Sequence, residues 1–267
     1  MDDAERMTDA ELRRIFDEDA RLYDRARPDY PAAVVDDLVE LTGIGSGSRV
    51  VEIGPGTGQA TRALVATGAA VTAIELGAEL AAVLRENLHG TGVEVVTGAF
   101  EDWTPTQPVD AITAFTAWHW IDPTVRADHV LAALRPGGWL ATVTTTHVRG
   151  GTVAFFRQAQ GCYLRWDPAT DPDEPFLSPD EVPPITDEID DDERFAPAVR
   201  RRHVRDLAYT ADDYLAVLQT YSGHRALPPE RRQGLLRDLR SLIADEHGGM
   251  ITKSYLYELR VARAYDR

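Results

Sequence analysis

The sequence predicts an α/β fold in which a mostly parallel sheet is covered by helices on both faces, with an antiparallel last strand and a lid-like insertion. Three observations predict it. Short apolar runs alternate with helix-period segments from Arg49 to Thr145, a glycine-rich turn follows the first of those runs, and the end of the chain alternates as a half-exposed strand does. The 267 residues suffice for one large domain with a modest elaboration. We read 1–267 as that domain, with N-terminal helices over 1–47, a core over 48–147, and a lid plus the closing strands over 148–267.

Taken in order, Leu12, Ile15, Phe16, Leu22 and Tyr23 share one helical face within 8–26, and Pro28 and Pro31 end that helix. A second helix covers about 32–41 and stops at Gly43, Gly45 and Gly47. Residues 49–53 form a short buried strand, 54–58 a turn, 59–67 a helix and 70–75 a second buried strand, which together make a right-handed βαβ unit. A helix over 78–88, strands over 94–97 and 111–115, a helix over 124–134 and a strand over 139–145 continue the alternation. Pro136-Gly137-Gly138 suits a tight reversal before that strand. A helix over 153–164 leads into 167–193, which holds six prolines and twelve acids but no lysine or arginine. Such a segment cannot build a core element alone and reads as an exposed loop or lid. A strand over 199–209, helices over 211–221 and 229–246, and a last strand over 250–263 complete the chain. In that last strand the alternation of Tyr255, Tyr257, Leu259 and Val261 suggests antiparallel pairing with one face more exposed.

Composition narrows the function. The formal charge is −16 and the pI about 4.8, so the field of the whole protein repels phosphate backbones and anionic membrane surfaces. Nucleic acid and membrane are therefore not expected partners. No apolar run approaches the roughly 20 residues of a membrane span, and the acid- and arginine-rich first residues lack the apolar block of a signal peptide, which predicts a cytoplasmic protein. Cys162 is the only cysteine, which excludes an intrachain disulfide and a thiolate-rich zinc site. No histidine or carboxylate spacing suggests a metal; Asp190-Asp191-Asp192 reads as a solvated acidic run. Lys253 is the sole lysine among 28 basic residues.

The informative stretch is Glu52-Ile53-Gly54-Pro55-Gly56-Thr57-Gly58-Gln59. Open parallel sheets bind ligands at the carboxyl ends of their strands, and glycines there let the main chain lie against a ligand. The spacing is Gly-x-Gly-x-Gly, with Gln59 where a dinucleotide fingerprint would place its third glycine. Glu75 ends the second strand about twenty residues on, where a carboxylate can accept both hydroxyls of a ribose. Turn, acid and strand order together imply an adenosine-bearing ligand. The plainer alternative is a tight turn beside a solvated glutamate.

From about Tyr23 to Val148 the chain resembles the class I S-adenosylmethionine-dependent methyltransferases of the type-11 kind. The resembling pieces are residues 50–59, Ala73-Ile74-Glu75-Leu76, Ala99-Phe100-Glu101-Asp102-Trp103, Thr116-Ala117-Trp118-His119-Trp120-Ile121-Asp122 and Leu134-Arg135-Pro136-Gly137-Gly138. The resemblance implies a Rossmann-like sheet of seven strands and a reaction that consumes S-adenosyl-L-methionine and yields S-adenosyl-L-homocysteine. It also implies cofactor contacts from Glu52, Gly54, Gly56, Thr57, Gly58, Gln59, Glu75, Leu76 and Thr116. Many relatives carry an aspartate and a small residue after the third strand. Ala99 and Phe100 stand there instead, so the Phe100 amide and the Glu101 side chain are the expected adenine contacts. Tyr23-Asp24-Arg25-Ala26-Arg27-Pro28-Asp29-Tyr30-Pro31 is similar to a lead-in found in a subset of these enzymes. In it Arg27 suits the cofactor carboxylate, or else Tyr23, Arg27 and Tyr30 cap the core.

Methyl transfer is a displacement at a carbon already activated by a sulfonium, so alignment and exclusion of water matter most, and a base is needed only where the acceptor must lose a proton. His119, between Trp118 and Trp120, is the first candidate for that base and His147 the second. Trp118, His119, Trp120, Tyr163, Trp166 and Tyr221 are the expected acceptor contacts. The acidic surface and aromatic mouth favour a small-molecule acceptor, whose reacting atom (O, N or C) is open, as is the oligomeric state. A non-catalytic cofactor-binding protein of the same fold and a nicotinamide-dependent oxidoreductase are the rival readings.

Overall fold

A computed structural model describes residues 16–167 and 169–266 of the chain. Seven strands form one sheet in the order β3-β2-β1-β4-β5-β7-β6. The strands are β1 (Arg49–Ile53), β2 (Ala70–Glu75), β3 (Glu94–Thr97), β4 (Val109–Phe115), β5 (Leu134–Val148), β6 (Val199–Thr210) and β7 (Met250–Arg263). The first five run parallel, and β7 and β6 close the sheet antiparallel. The helices are α1 (Ala20–Ala26), α2 (Ala32–Thr42), α3 (Thr61–Ala66), α4 (Ala78–Asn87), α5 (Arg126–Ala133), α6 (Val153–Trp166), α7 (Glu188–Asp191), α8 (Ala211–Leu218), α9 (Ser222–Ala226) and α10 (Pro229–Glu246).

The described chain divides into two compact units, a boundary pattern that differs from the one read from the sequence. One comprises residues up to Arg27, Thr146–Pro183 and Val204–Leu256; the other comprises Pro28–Thr145, Pro184–His203 and Tyr257–Arg267. We call them the helical unit and the glycine-turn unit. In the latter, Val51, Ile53, Ile74, Ile112, Ala114, Val130 and Leu140 form a buried core that fixes β1, β2 and β4 in register. α2 ends where Gly43 turns left-handed at φ 69° and returns its N–H to the Val39 carbonyl, as a helix stop by glycine does.

Several expectations are corrected. The first helix is described only as a 3₁₀ turn at Phe16–Asp19 followed by α1, capped by the Asp19 carboxylate on the Leu22 N–H; Leu12 and Ile15 lie outside the described residues. Pro136-Gly137-Gly138 does not reverse the chain. It lies inside β5 as an irregularity: Val109 pairs with Leu134 and Ala111 with Trp139, with Gly137 at φ 68° absorbing the extra residues. β7 is buried at nearly every position rather than on alternate ones, because it is an inner strand between β5 and β6. β6 takes the edge instead, and its Arg200, Arg201, Arg202 and Arg205 suit an edge that must not pair with another chain. α9 was not expected from the sequence.

The acidic segment 167–193 is tied down at both ends by arginines from elsewhere in the chain. In the helical unit Arg149 holds the Leu177 carbonyl through its backbone and Glu181 through its side chain at 2.8 Å. In the glycine-turn unit Asp187 caps α7, whose Ile189 is buried, while Arg260 grips Asp187 at 2.6 Å and Asp190 at 2.9 Å.

Candidate active site

Parallel pairing of Ile53 with Ile74 brings the end of β1 and the end of β2 to one edge of the sheet, and the turn Gly54–Gly58 leaves from there. The turn needs its glycines. Gly54, Gly56 and Gly58 have φ of 62°, 60° and 103°, in the region an L side chain rarely adopts. A Cβ on Gly54 would lie 2.7 Å from the Ala117 Cβ, and one on Gly58 would lie 2.9 Å from Leu84 Cδ1. Glu75 accepts the Gly56 N–H through Oε2 and the Gly77 N–H through Oε1, both at 2.9 Å. One carboxylate thus holds both turns. Within the first turn the Gln59 amide donates to the Thr57 hydroxyl at 2.7 Å, and Asn87, which sequence reasoning missed, donates to the Thr57 carbonyl at 2.9 Å.

Glu52 is buried one residue before the end of β1, and its Oε2 has no hydrogen-bond partner. Burial raises its pKa to about 7; the Thr61 hydroxyl opposes the shift and the Glu75 charge adds to it. An orphaned carboxylate oxygen beside the glycine turn fits a ligand that brings a cationic group or a donor, as the methionine ammonium of S-adenosylmethionine would.

At the end of β4, Thr116 is the one non-glycine residue with positive φ among the described residues, at 54°. Its N–H donates to the Val143 carbonyl at 2.7 Å, the Tyr30 hydroxyl donates to its Oγ1 at 2.9 Å, and the Thr145 hydroxyl lies 3.0 Å from it. Strain of this kind persists only where surrounding contacts fix it, and it concentrates at functional loops. Trp118, His119 and Trp120 follow as a 3₁₀ turn. Trp118 is buried, donates its indole N–H to Asp187 at 2.8 Å and lies under the Arg126 guanidinium, whereas His119 is exposed beside Trp120. Phe100 is buried against Trp103 and His129; Leu76 and Glu101 are half-buried.

The remaining expected residues belong to the helical unit. His147 is boxed by Phe156 and Phe176, its Nε2 has no partner, and burial, then the charge of Lys253, lowers its pKa to about 3. It is a poor proton acceptor near neutral pH. Arg27 lies over the rings of Tyr23 and Tyr221 and donates to the Thr220 carbonyl at 3.0 Å. The Tyr163 hydroxyl lies 3.0 Å from His224 Nε2, and burial followed by the Lys253 charge lowers the His224 pKa to about 4. Trp166 donates its indole N–H to Asp238 at 2.8 Å and packs against Gly234, where any Cβ would clash with the ring. Burial alone would raise the Tyr221 phenol, but the Lys253 charge and then Arg27 outweigh it and leave its pKa below the ordinary value.

Among the described residues no group of three histidines, cysteines or carboxylates is placed to hold a metal, and no helix is long and apolar enough to cross a membrane. Residues 51–142 match the family described as "Methyltransferase domain". An uncharacterized methyltransferase of Mycobacterium tuberculosis (strain ATCC 25618 / H37Rv) is 38% identical over 124 residues, 46% of this chain and 49% of that one. The chain therefore spans about half the length of the curated relatives it matches first. Shorter matches reach a ribosomal RNA small subunit methyltransferase A of Cutibacterium acnes, 38% identical over 34% of this chain and 30% of that one. They also reach a ubiquinone biosynthesis O-methyltransferase of Xylella fastidiosa, 41% identical over 37% and 42%. A solved structure from Anaeromyxobacter dehalogenans, provisionally named a type II methyltransferase, shares the fold with a TM-score of 0.62 at 23% identity over 90% of this chain and 99% of that one. Residues 51–142, which carry the glycine turn and strands β1 to β4, are thus similar to a methyltransferase domain.

Proposed function

We propose that the chain transfers the methyl group of S-adenosylmethionine to an O, N or C atom of a small-molecule acceptor by in-line displacement, leaving S-adenosylhomocysteine. The observation that carries this reading is the grip of Glu75 on the Gly56 and Gly77 amides, which holds a carboxylate at the mouth of a turn with no Cβ to fill it. When bound, the cofactor supplies a methyl carbon activated by a sulfonium. The protein's part is to seat it: Glu75 for the ribose hydroxyls, Glu52 for the amino group, the glycine turn for close approach, and Leu76, Phe100 and Glu101 for the adenine. Seating alone accounts for much of such a rate enhancement, since fixing reactants in line can remove roughly 7 to 11 kcal/mol of barrier. Where an acceptor must lose a proton, exposed His119 is the candidate base, and the low pKa of His147 counts against it in that role.

A small acceptor is favoured over RNA by the formal charge of −16, which repels a phosphate backbone. The test is calorimetric titration with S-adenosylhomocysteine and, separately, NADH, followed by measurement of S-adenosylhomocysteine release from S-adenosylmethionine. Binding of the thioether alone, with release driven by small acceptors and not by structured RNA, is the expected result. Preference for NADH overturns the reading, and binding without release under any acceptor favours the non-catalytic rival.

A further inference from the structure

Within the glycine-turn unit, residues Thr116 to Ile121 follow β4 and lie against the first residue of the glycine turn. Ile53 pairs with Ala114, and a Cβ on Gly54 would sit 2.7 Å from the Ala117 Cβ. A shift of this loop toward β1 is therefore felt directly by the turn, since a close-packed contact has no slack to absorb it. The loop is also strained, with Thr116 at φ 54°, and strain persists only where other contacts hold it.

Part of that hold comes from far along the chain. Arg126, buried at the start of α5, donates through Nη1 to the Trp118 carbonyl at 2.8 Å and to the Ile121 carbonyl at 3.5 Å, so one guanidinium bridges both ends of the 3₁₀ turn. It lies 4.6 Å over the Trp118 ring, and its Nη2 donates to Glu188 at 2.7 Å. The Trp118 indole N–H donates to Asp187 at 2.8 Å across 69 positions of sequence. Asp187 is itself fixed, by Arg260 at 2.8 Å and by the Ile189 N–H at 3.1 Å. Burial of Ile189 and the cap on α7 account for docking of this segment. The grip on the Trp118 turn goes further, because charged hydrogen bonds with a planar fork fix orientation as well as position.

We propose that Arg126, Asp187 and Glu188 are positioning residues for the cofactor. They fix the Trp118 turn, that turn fixes Thr116 and Ala117, and these hold Gly54 and the glycine turn in the shape that binds. Trp118 in this assignment anchors the loop and is not a wall for the acceptor. The inference rests on the methyltransferase reading, since its probe is S-adenosylhomocysteine.

The test compares the dissociation constant of S-adenosylhomocysteine for the wild type, Trp118→Phe and Arg126→Lys, at a temperature where all are folded. Trp118→Phe keeps a ring and removes only the indole donor; Arg126→Lys keeps the charge and removes the fork. Arg135→Met is the control, since it breaks an ion pair with Asp110 near the opposite end of β4. The expected result is an affinity about fivefold or more weaker in each loop variant and unchanged within about twofold in the control. Coupling is reciprocal, so the ligand should also act on the anchor. Of the five tryptophan indole signals in ¹⁵N-labelled protein, the one missing from Trp118→Phe should shift saturably as S-adenosylhomocysteine is added to the wild type. Unchanged affinity in both loop variants, an equal loss in Arg135→Met, or an indole signal that stays fixed at saturation overturns the proposal and leaves the methyltransferase reading standing. A wild type that does not bind S-adenosylhomocysteine overturns both.

Discussion

Glu52 and Glu75 are both acids buried beside one glycine turn, yet they are held in opposite ways. Glu75 spends its oxygens on the Gly56 and Gly77 amides, whereas Glu52 keeps one oxygen unpartnered and a pKa of about 7. The sign of the pH effect follows from that shift. Between the ordinary value of 4.5 and about 7 the folded protein holds a proton that the unfolded chain has released, so stability falls as pH rises through this window and is level above it. Glu52→Gln should remove that slope and raise stability of the ligand-free protein at pH 8 by up to about 3 kcal/mol. Urea unfolding at several pH values checks it, and an unchanged slope would show that Glu52 is ionised in the fold. Gly58→Ala places a methyl at φ 103° and 2.9 Å from Leu84 Cδ1, so it should cost about 1–3 kcal/mol and weaken S-adenosylhomocysteine binding together. At this scale the sequence was informative for the turn, because three glycines and two acids at fixed spacing have few other uses. Lys253 was legible only as a count, one lysine among arginines, with nothing in the sequence to say what surrounds it.

Among the elements, the alternation of β1 to β5 with their helices could be read directly, because buried parallel strands are continuous apolar runs. β7 misled because alternation of aromatic and polar residues signals a half-exposed strand only when the polar side chains reach water. Here Lys253, Ser254, Glu258 and Arg260 are buried, and Glu258 and Arg260 pair with Arg202, Asp187 and Asp190. Most of the acidic segment is exposed, as its composition implies, but the pairing of Asp187 and Asp190 with arginines could not be read from it. Asp187 accepts from Trp118 and Arg260 and lies 3.4 Å from Arg126. Burial alone would raise its pKa, but Arg260, the Ile189 N–H and Trp118 together hold it below the carboxylate norm, as Arg200, the Asp187 N–H and Arg260 do for Asp190. Stability from these carboxylates is therefore complete above about pH 4 and is lost as pH falls further, through their depressed values. Asp187→Ala strands buried cations and should cost about 3–5 kcal/mol in a denaturant titration at pH 7. A cost below 1 kcal/mol would mean that the network is not load-sharing in the way its geometry implies.

For the molecule as a whole, the charge of −16 acts on stability as well as on partners. Self-repulsion is screened by salt, so raising sodium chloride from about 20 mM to about 500 mM should raise the melting temperature by a few degrees, and no retention on immobilised RNA is expected at low salt. The central claim is that the turn between β1 and α3, with Glu75, seats S-adenosylmethionine. Its most direct measurement is the dissociation constant of S-adenosylhomocysteine for the wild-type protein and for Glu75→Ala, taken by calorimetry on samples with matched melting curves. The account predicts that the wild type binds and that the substitution weakens binding about tenfold or more, since it removes a charged hydrogen-bonding group from the ribose. Equal affinity in the two proteins, or none in either, would contradict it.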